Sequence, residues 1–242
     1  MTRSSVSLRG DAACRATRCE SSADNVDERS ALRSTAYRPV QCENCSVAPA
    51  IADRPFREVL AALASPSPTP GGGSACAAAA ALGTALLRMG AAIANADPQS
   101  LMRIEERLID AMDADAAAYT YVIAAQRAPK DTEAERGLRT AAIQLALRGA
   151  TEVPLSIMRL CASALYEATE VAARARRSTV GDIAVAVTLL RSAIEGSRLT
   201  IDANLGALTD AGYIKTVREE FGTLAERAEN AASEAERLLR VR

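Results

Sequence analysis

The chain has 242 residues, of which 29 are basic and 30 are acidic, so its formal net charge is −1. This balance argues against nucleic acid as a main partner, because phosphate binding leaves a basic surface. Histidine is absent, which excludes His-activated nucleophiles and His-ligated metals and leaves acid–base chemistry to Asp, Glu, Lys, Tyr, Cys or Arg.

Residues 1–50 are rich in Ser, Arg and Ala and lack sustained periodicity, which predicts a disordered tail. Cys14, Cys19, Cys42 and Cys45 lie in this segment. Their C-x4-C and C-x2-C spacings would suit zinc, but no strand or knuckle pattern surrounds them, so we favour scattered thiols and expect no metal. The arginine-rich start resembles a transit peptide, and a mis-assigned start codon is the alternative.

The remainder, residues 51–242, has helical spacing and no convincing strand alternation, which predicts an all-α, multi-helix bundle with long antiparallel helices. Pro154 should kink or divide the helix that contains it. The predicted helices comprise a short one capped by Asp53, followed by Ser74 to about Ala94, Asp97-Pro98 to about Arg127, Asp131 or Thr132 to about Arg177, Thr179 to about Leu208, and a last amphipathic stripe from Leu224 to Leu238.

The apolar run from Ala75 to Leu87 is broken at Arg88, and a membrane span needs about 20 apolar residues, so we expect no membrane partner. Helices this rich in alanine approach closely, and long faces of this kind often bury against a second subunit. Cys76 and Cys161 lie in helical patterns and are interpreted as buried, reduced thiols, which favours a reducing compartment.

The stretch PSPTPGGGS, residues 66–74, is the first candidate site. Its prolines stiffen the approach, its glycines permit positive φ, and Ser74 can cap the helix that follows. This arrangement suits an anion at the positive end of a helix dipole, and the alternative is an ordinary linker before a capped helix. No lysine follows the glycines and no strand precedes them, so the stretch is neither a Walker loop nor a dinucleotide fingerprint.

Two acids and one amide are further candidates. Asp115 falls on the apolar stripe of its helix, where a carboxylate is costly unless it is used or makes a structural hydrogen bond, whereas Asp113 points elsewhere and should be solvated. Asp182 stands where it could simply cap its helix. Asn204, between Ile201 and Leu205, could reach a ligand or bond a neighbouring helix.

Six segments occur in an order typical of one family: PTPGGGSACAAAAALGTALLRM, DADAAAY, APKDTEAER, AIQLALRGATEVPLSIM, GDIAVAVTLL and IDANL. Because of these segments, roughly residues 52–242 resemble the cyclodeaminase/methenyltetrahydrofolate cyclohydrolase family. This family corresponds to the helical C-terminal half of formiminotransferase-cyclodeaminase. Two positions depart from the family pattern. Gly181 replaces a serine, and ANADPQSLMR replaces a Lys-rich, Tyr-containing stretch.

The resemblance implies an all-α homodimer that acts on one-carbon tetrahydrofolates. It implies catalytic roles for Asp115 and Asp182. The residues for which it implies substrate binding are Thr69, Pro70, Gly71, Gly72, Gly73, Ser74, Lys130 and Asn204.

The implied activity is hydrolysis of methenyltetrahydrofolate to formyltetrahydrofolate, in the cytoplasm and with no cofactor beyond the folate substrate. Fifty unpatterned residues are too few for a formiminotransferase domain, which favours this cyclohydrolase. The alternatives are a formiminotetrahydrofolate cyclodeaminase that releases ammonia and a non-catalytic folate-binding helical protein.

Overall fold

The computed structural model describes residues 49–242, and the predictions for the N-terminal tail and its four cysteines fall outside them. The described part of the chain contains six α-helices and two single-turn 3-10 helices, and no strand. The all-α prediction is therefore confirmed. The helices are α1 (Phe56–Leu63), α2 (Gly72–Ile93), α3 (Gln99–Gln126), α4 (Glu133–Ala173), α5 (Val180–Leu205) and α6 (Ala211–Leu239), with the 3-10 turns at Ile51–Asp53 and Arg177–Thr179.

The helix starts follow local hydrogen-bonding chemistry in some places and not in others. At α4 the Thr132 hydroxyl accepts from the Glu135 N–H, and Glu135 accepts in return from the Thr132 N–H. This is a complete capping box. The capping box predicted at Thr179 is wrong, because its hydroxyl donates to the Arg176 carbonyl within the preceding 3-10 turn. Asp53 likewise caps nothing, since α1 begins after Pro55.

Helix α2 is central and packs against α3, α4 and α5. A Cβ atom at Gly83 would stand 3.0 Å from the Ala186 carbonyl oxygen, and one at Gly90 would stand 3.1 Å from Ile183, so glycine permits the close approach of α5. By length and composition α2 is also apolar enough to cross a membrane, which differs from the sequence expectation; a core helix passes the same test.

Helix α4 runs unbroken through Pro154, so of the two predicted effects, a kink or a division, the division is wrong and the kink stays a prediction. Proline has no N–H, and the carbonyl four residues earlier, at Ala150, therefore lacks its helical donor. The Asn204 side-chain amide on α5 donates to that carbonyl at 2.9 Å. Asn204 was expected either to reach a ligand or to bond a neighbouring helix, and this hydrogen bond is the second of these roles.

We predict that Asn204→Ala destabilises the fold by about 1–3 kcal/mol, because it leaves the buried Ala150 carbonyl without a donor. In a Pro154→Ala background the restored N–H can take that place, so the same substitution should cost less. Urea unfolding of the four proteins in this double-mutant cycle measures the coupling. An equal cost in both backgrounds would show that proline does not create the need for Asn204.

Candidate functional site

A pocket of about 450 Å³ lies where the start of α2 meets α3, α4 and α5. Its volume is in the range of small-molecule sites. The residues that line it are Pro68, Thr69, Gly71, Gly72 and Gly73 from the α2 entry, Asp115 and Tyr119 from α3, Ala150 from α4, and Leu199, Thr200, Ala203 and Asn204 from α5. The structure thus brings together Thr69, three glycines, Asp115 and Asn204 from the residues singled out in the sequence.

Asp182 and Lys130 do not reach this pocket within one protomer. Asp182 is exposed in the first turn of α5, 18 residues before Thr200, which separates the two by about 27 Å along the helix. Lys130 is exposed in the connection between α3 and α4, where its carbonyl accepts from Arg136. Neither residue is among those that line the pocket, and their roles stay predictions.

Ser74 has a different role from the one predicted. Helix α2 begins two residues earlier, after Gly71, so Ser74 is not its cap. Ser74 is 1% exposed, and its N–H donates to Asp115 Oδ2 at 2.8 Å. Its hydroxyl lies 2.8 Å from the Met112 carbonyl oxygen and 3.0 Å from Asp115 Oδ2, and its single proton serves one of them at a time. Ser74 therefore holds the carboxylate instead of lining the pocket.

Gly73 gives the Asp115 carboxylate room to lie against α2. A Cβ atom at Gly73 would stand 2.0 Å from Asp115 Oδ1 and 2.5 Å from Cγ, whereas one at Gly72 would meet nothing within 4 Å. No glycine among the described residues has positive φ, so the expectation that the loop exploits positive φ is wrong. At Gly73 the reason for glycine is contact with a side chain of α3. Pro70, joined to Thr69 by a cis peptide bond, does not line the pocket.

Asp115 dominates the electrostatics of the pocket. Burial raises the pKa of this carboxyl above its ordinary value, and the two hydrogen bonds from Ser74 counteract part of that shift. Those bonds go to Oδ2, and within residues 49–242 no hydrogen bond to Oδ1 is found. No Lys or Arg lines this pocket in the described structure. A half-buried anion without a basic partner suits a cationic ligand.

Asp113 is not simply solvated. Its two carboxylate oxygens accept from the Ile51 N–H at 3.2 and 3.1 Å, which ties the N-terminal 3-10 turn to α3. Asp113 does not line the pocket. In the described part of the chain, no group of three or more His, Cys, Asp and Glu side chains is placed to hold a metal ion.

Sequence reasoning missed Tyr119, Leu199 and Thr200. Tyr119 follows Asp115 by four residues and so shares its helix face; that spacing was a usable signal. Leu199 and Thr200 join the pocket only because α5 packs beside α2, which no local pattern on α5 indicates.

A family model described as formiminotransferase-cyclodeaminase matches residues 55–223, a range that contains the whole pocket. The chain belongs to the formiminotransferase-cyclodeaminase family. This confirms the resemblance on which the sequence analysis drew.

Members and neighbours of the formiminotransferase-cyclodeaminase family show how far the similarity extends. Over 127 residues the chain is 31% identical to formimidoyltransferase-cyclodeaminase of Sus scrofa, covering 52% of this chain and 24% of that protein. Over 113 residues it is 33% identical to methenyltetrahydrofolate cyclohydrolase of Methylorubrum extorquens, covering 46% and 54% respectively. The chain thus spans about a quarter of the first relative and about half of the second.

Formiminotetrahydrofolate cyclodeaminase of Thermotoga maritima has the same helical fold. The TM-score is 0.71 at 20% identity, and the match covers 79% of this chain and 98% of that chain.

We predict that Gly73→Ala and Gly72→Ala differ sharply in stability. The new methyl group at residue 73 collides with the Asp115 carboxylate and should cost about 1–3 kcal/mol. The methyl group at residue 72 enters open space and should change the free energy of unfolding by less than about 0.5 kcal/mol. Urea unfolding compares the two variants directly.

A second variant separates this collision from a general intolerance of alanine. Adding Asp115→Ala to Gly73→Ala removes the colliding group and should recover most of the lost stability. If Gly73→Ala is as stable as Gly72→Ala, the contact with Asp115 is not the reason for glycine.

Proposed function

We propose that the chain is a methenyltetrahydrofolate cyclohydrolase, which hydrolyses methenyltetrahydrofolate to formyltetrahydrofolate in one-carbon metabolism. The observation that carries the proposal is the Asp115 carboxylate, held at Oδ2 by Ser74 in a pocket without a basic side chain among its described lining residues. Methenyltetrahydrofolate carries a delocalised amidinium cation, and this carboxylate complements its charge. Family membership and the name of the Methylorubrum extorquens relative support the same substrate class.

The chemistry uses Asp115 and water. Water adds to the bridging carbon of the amidinium while Asp115 Oδ1 takes one of its protons. The carbon–nitrogen bond then breaks as the protonated carboxyl returns that proton to the leaving nitrogen. The new hydroxyl loses its proton to solvent and becomes the formyl oxygen. The sum is one water consumed and one proton released, and no cofactor takes part in the steps that we propose.

Ser74 orients the base in this scheme. Its N–H bonds Oδ2, and its hydroxyl bonds either the same oxygen or the Met112 carbonyl, so neither donor occupies Oδ1, which we assign to water. Gly73 leaves room for that oxygen, since a Cβ atom at residue 73 would stand 2.0 Å from Oδ1.

The alternative activity is a cyclodeaminase, in which formiminotetrahydrofolate closes to the methenyl compound and loses ammonia. The name of the Sus scrofa relative favours it. That reaction needs an acid to protonate the leaving nitrogen, and an Asp115 carboxyl with a raised pKa could supply the proton. Offering purified protein methenyltetrahydrofolate and formiminotetrahydrofolate separately, and following turnover of each, distinguishes the two. Binding of both without turnover would indicate a non-catalytic folate binder.

We predict that Asp115→Asn keeps the fold and loses about 10²- to 10⁴-fold in turnover, because an amide cannot accept the proton or balance the cation. The assay follows loss of the methenyl chromophore after spontaneous hydrolysis is subtracted. Asp113→Asn is the matched control. It lies off the pocket and should keep its activity, with at most a small loss of stability through the Ile51 contact. Full activity in Asp115→Asn would remove this residue from the mechanism.

The pH profile of turnover tests the same assignment. Burial raises the pKa of Asp115, and only its ionised form accepts a proton. Turnover by the cyclohydrolase should therefore fall as the pH drops through that raised pKa, at a higher pH than an exposed aspartate would give.

We also propose that the protein is a homodimer. Large exposed apolar side chains follow coiled-coil-like spacing on two adjacent helices, with Leu82, Met89 and Ile93 on α2 and Val185 and Leu199 on α5. The two stripes lie side by side because α2 and α5 pack together at Gly83 and Gly90. A second copy of the same face offers matching apolar surface.

We predict that Leu82→Glu makes the protein monomeric, because it places a charge in the middle of that face. Leu138→Glu is the control, since Leu138 is equally apolar and 74% exposed but lies on α4 and not on either helix of that face. Sedimentation velocity reports the mass of each. A monomeric wild type contradicts the proposal, and partition of the wild type into lipid vesicles would identify a bilayer as the occupant of this face.

A further inference from the structure

Tyr119 lines the pocket one helical turn beyond Asp115 and is 43% exposed. Residues four apart on a helix are neighbours, with Cβ atoms about 5–6 Å apart. Among the described residues, no hydrogen-bond partner of the Tyr119 hydroxyl is found. The ring is therefore offered to the pocket and is not fixed by a polar contact with the protein.

A second helix also contributes an apolar side chain to the pocket. Leu199 on α5 is 57% exposed and also lines the pocket. An aromatic ring and an aliphatic side chain in the same pocket suit a flat ligand group.

We propose that the face of the Tyr119 ring binds the planar amidinium of the substrate and selects the cationic substrate over neutral folates. This inference rests on the proposed function. The face of an aromatic ring carries negative charge density, so it attracts a cation placed over it. Asp115 lies one turn away and attracts the same cation through its carboxylate.

The consequence for turnover follows from charge. Hydrolysis converts the amidinium into a neutral formyl group, so the attraction to the ring disappears when the product forms. Tyr119 thus favours binding of the substrate without holding the product with equal strength. It acts as a specificity-determining residue, while Asp115 performs the proton transfer.

The experiment compares Tyr119→Phe and Tyr119→Leu with the wild type. Tyr121→Leu is the control, because Tyr121 is an exposed aromatic of the same helix that does not line the pocket. The quantities are the KM for methenyltetrahydrofolate, a cation, and the inhibition constant for tetrahydrofolate, which lacks that cation. If the wild type shows no turnover, dissociation constants for the same two compounds take their place.

We expect Tyr119→Leu to lose about 3- to 30-fold of the preference for the cation over tetrahydrofolate. Tyr119→Phe should keep the preference, because the ring and not the hydroxyl carries it, and Tyr121→Leu should keep it too. If Tyr119→Phe loses as much of this preference as Tyr119→Leu, the hydroxyl makes the contact and the inference is wrong. If Tyr119→Leu weakens the binding of both compounds by the same factor, the ring is only an apolar wall, and the inference is also wrong.

These outcomes are separable from failure of the proposed function. A wild type that binds methenyltetrahydrofolate without turning it over contradicts the cyclohydrolase, yet the ratio of dissociation constants still decides the role of Tyr119. Normal turnover with an unchanged preference in Tyr119→Leu contradicts the role of Tyr119 alone. A wild type that binds neither compound contradicts both.

Discussion

The contact between the Asp115 carboxylate and the first turn of α2 is the constraint on which the pocket depends. One oxygen accepts from the Ser74 N–H, and the other lies where any side chain at Gly73 would have to be. The N–H groups in the first turn of a helix have no intrahelical partner, so a carboxylate from α3 satisfies one of them. This fixes the start of α2 against the middle of α3 and holds the preceding loop at the edge of the pocket.

The contact between Asp115 and α2 has a cost in stability, and the direction of its pH dependence follows from the pKa of Asp115. Burial raises the pKa of Asp115 in the folded state, so the ionised carboxylate is less favourable there than in the unfolded chain. This cost is absent below the pKa that Asp115 has in the unfolded chain. It grows as the pH rises through the higher pKa that Asp115 has in the folded state. Above that folded-state pKa the protein carries a destabilised anion at the site. Strain of this kind is expected where a group is placed for chemistry and not for packing.

The sequence predicted the helices well where local chemistry decides them, and the site less completely. The start of α4 at Thr132 and the apolar stripe containing Asp115 are local patterns, and both are confirmed. The prediction that Ser74 caps α2 is wrong because the helix begins two residues earlier. Ser74 therefore lies in the first turn and faces inward. Asp182 was grouped with the site by resemblance, and only the length of α5 shows how far away it lies.

The need for Asn204 could not be derived from its own surroundings, because Pro154 on another helix creates it. Asp115 and Asn204 solve the same physical problem at two walls of the pocket. At one wall a helix start leaves an N–H without a partner, and at the other a proline leaves a carbonyl without one. In each case the missing partner comes from a neighbouring helix, Asp115 for the N–H and Asn204 for the carbonyl. The walls are therefore joined through backbone groups, and Asp115 Oδ1 and the ring of Tyr119 are left for a ligand.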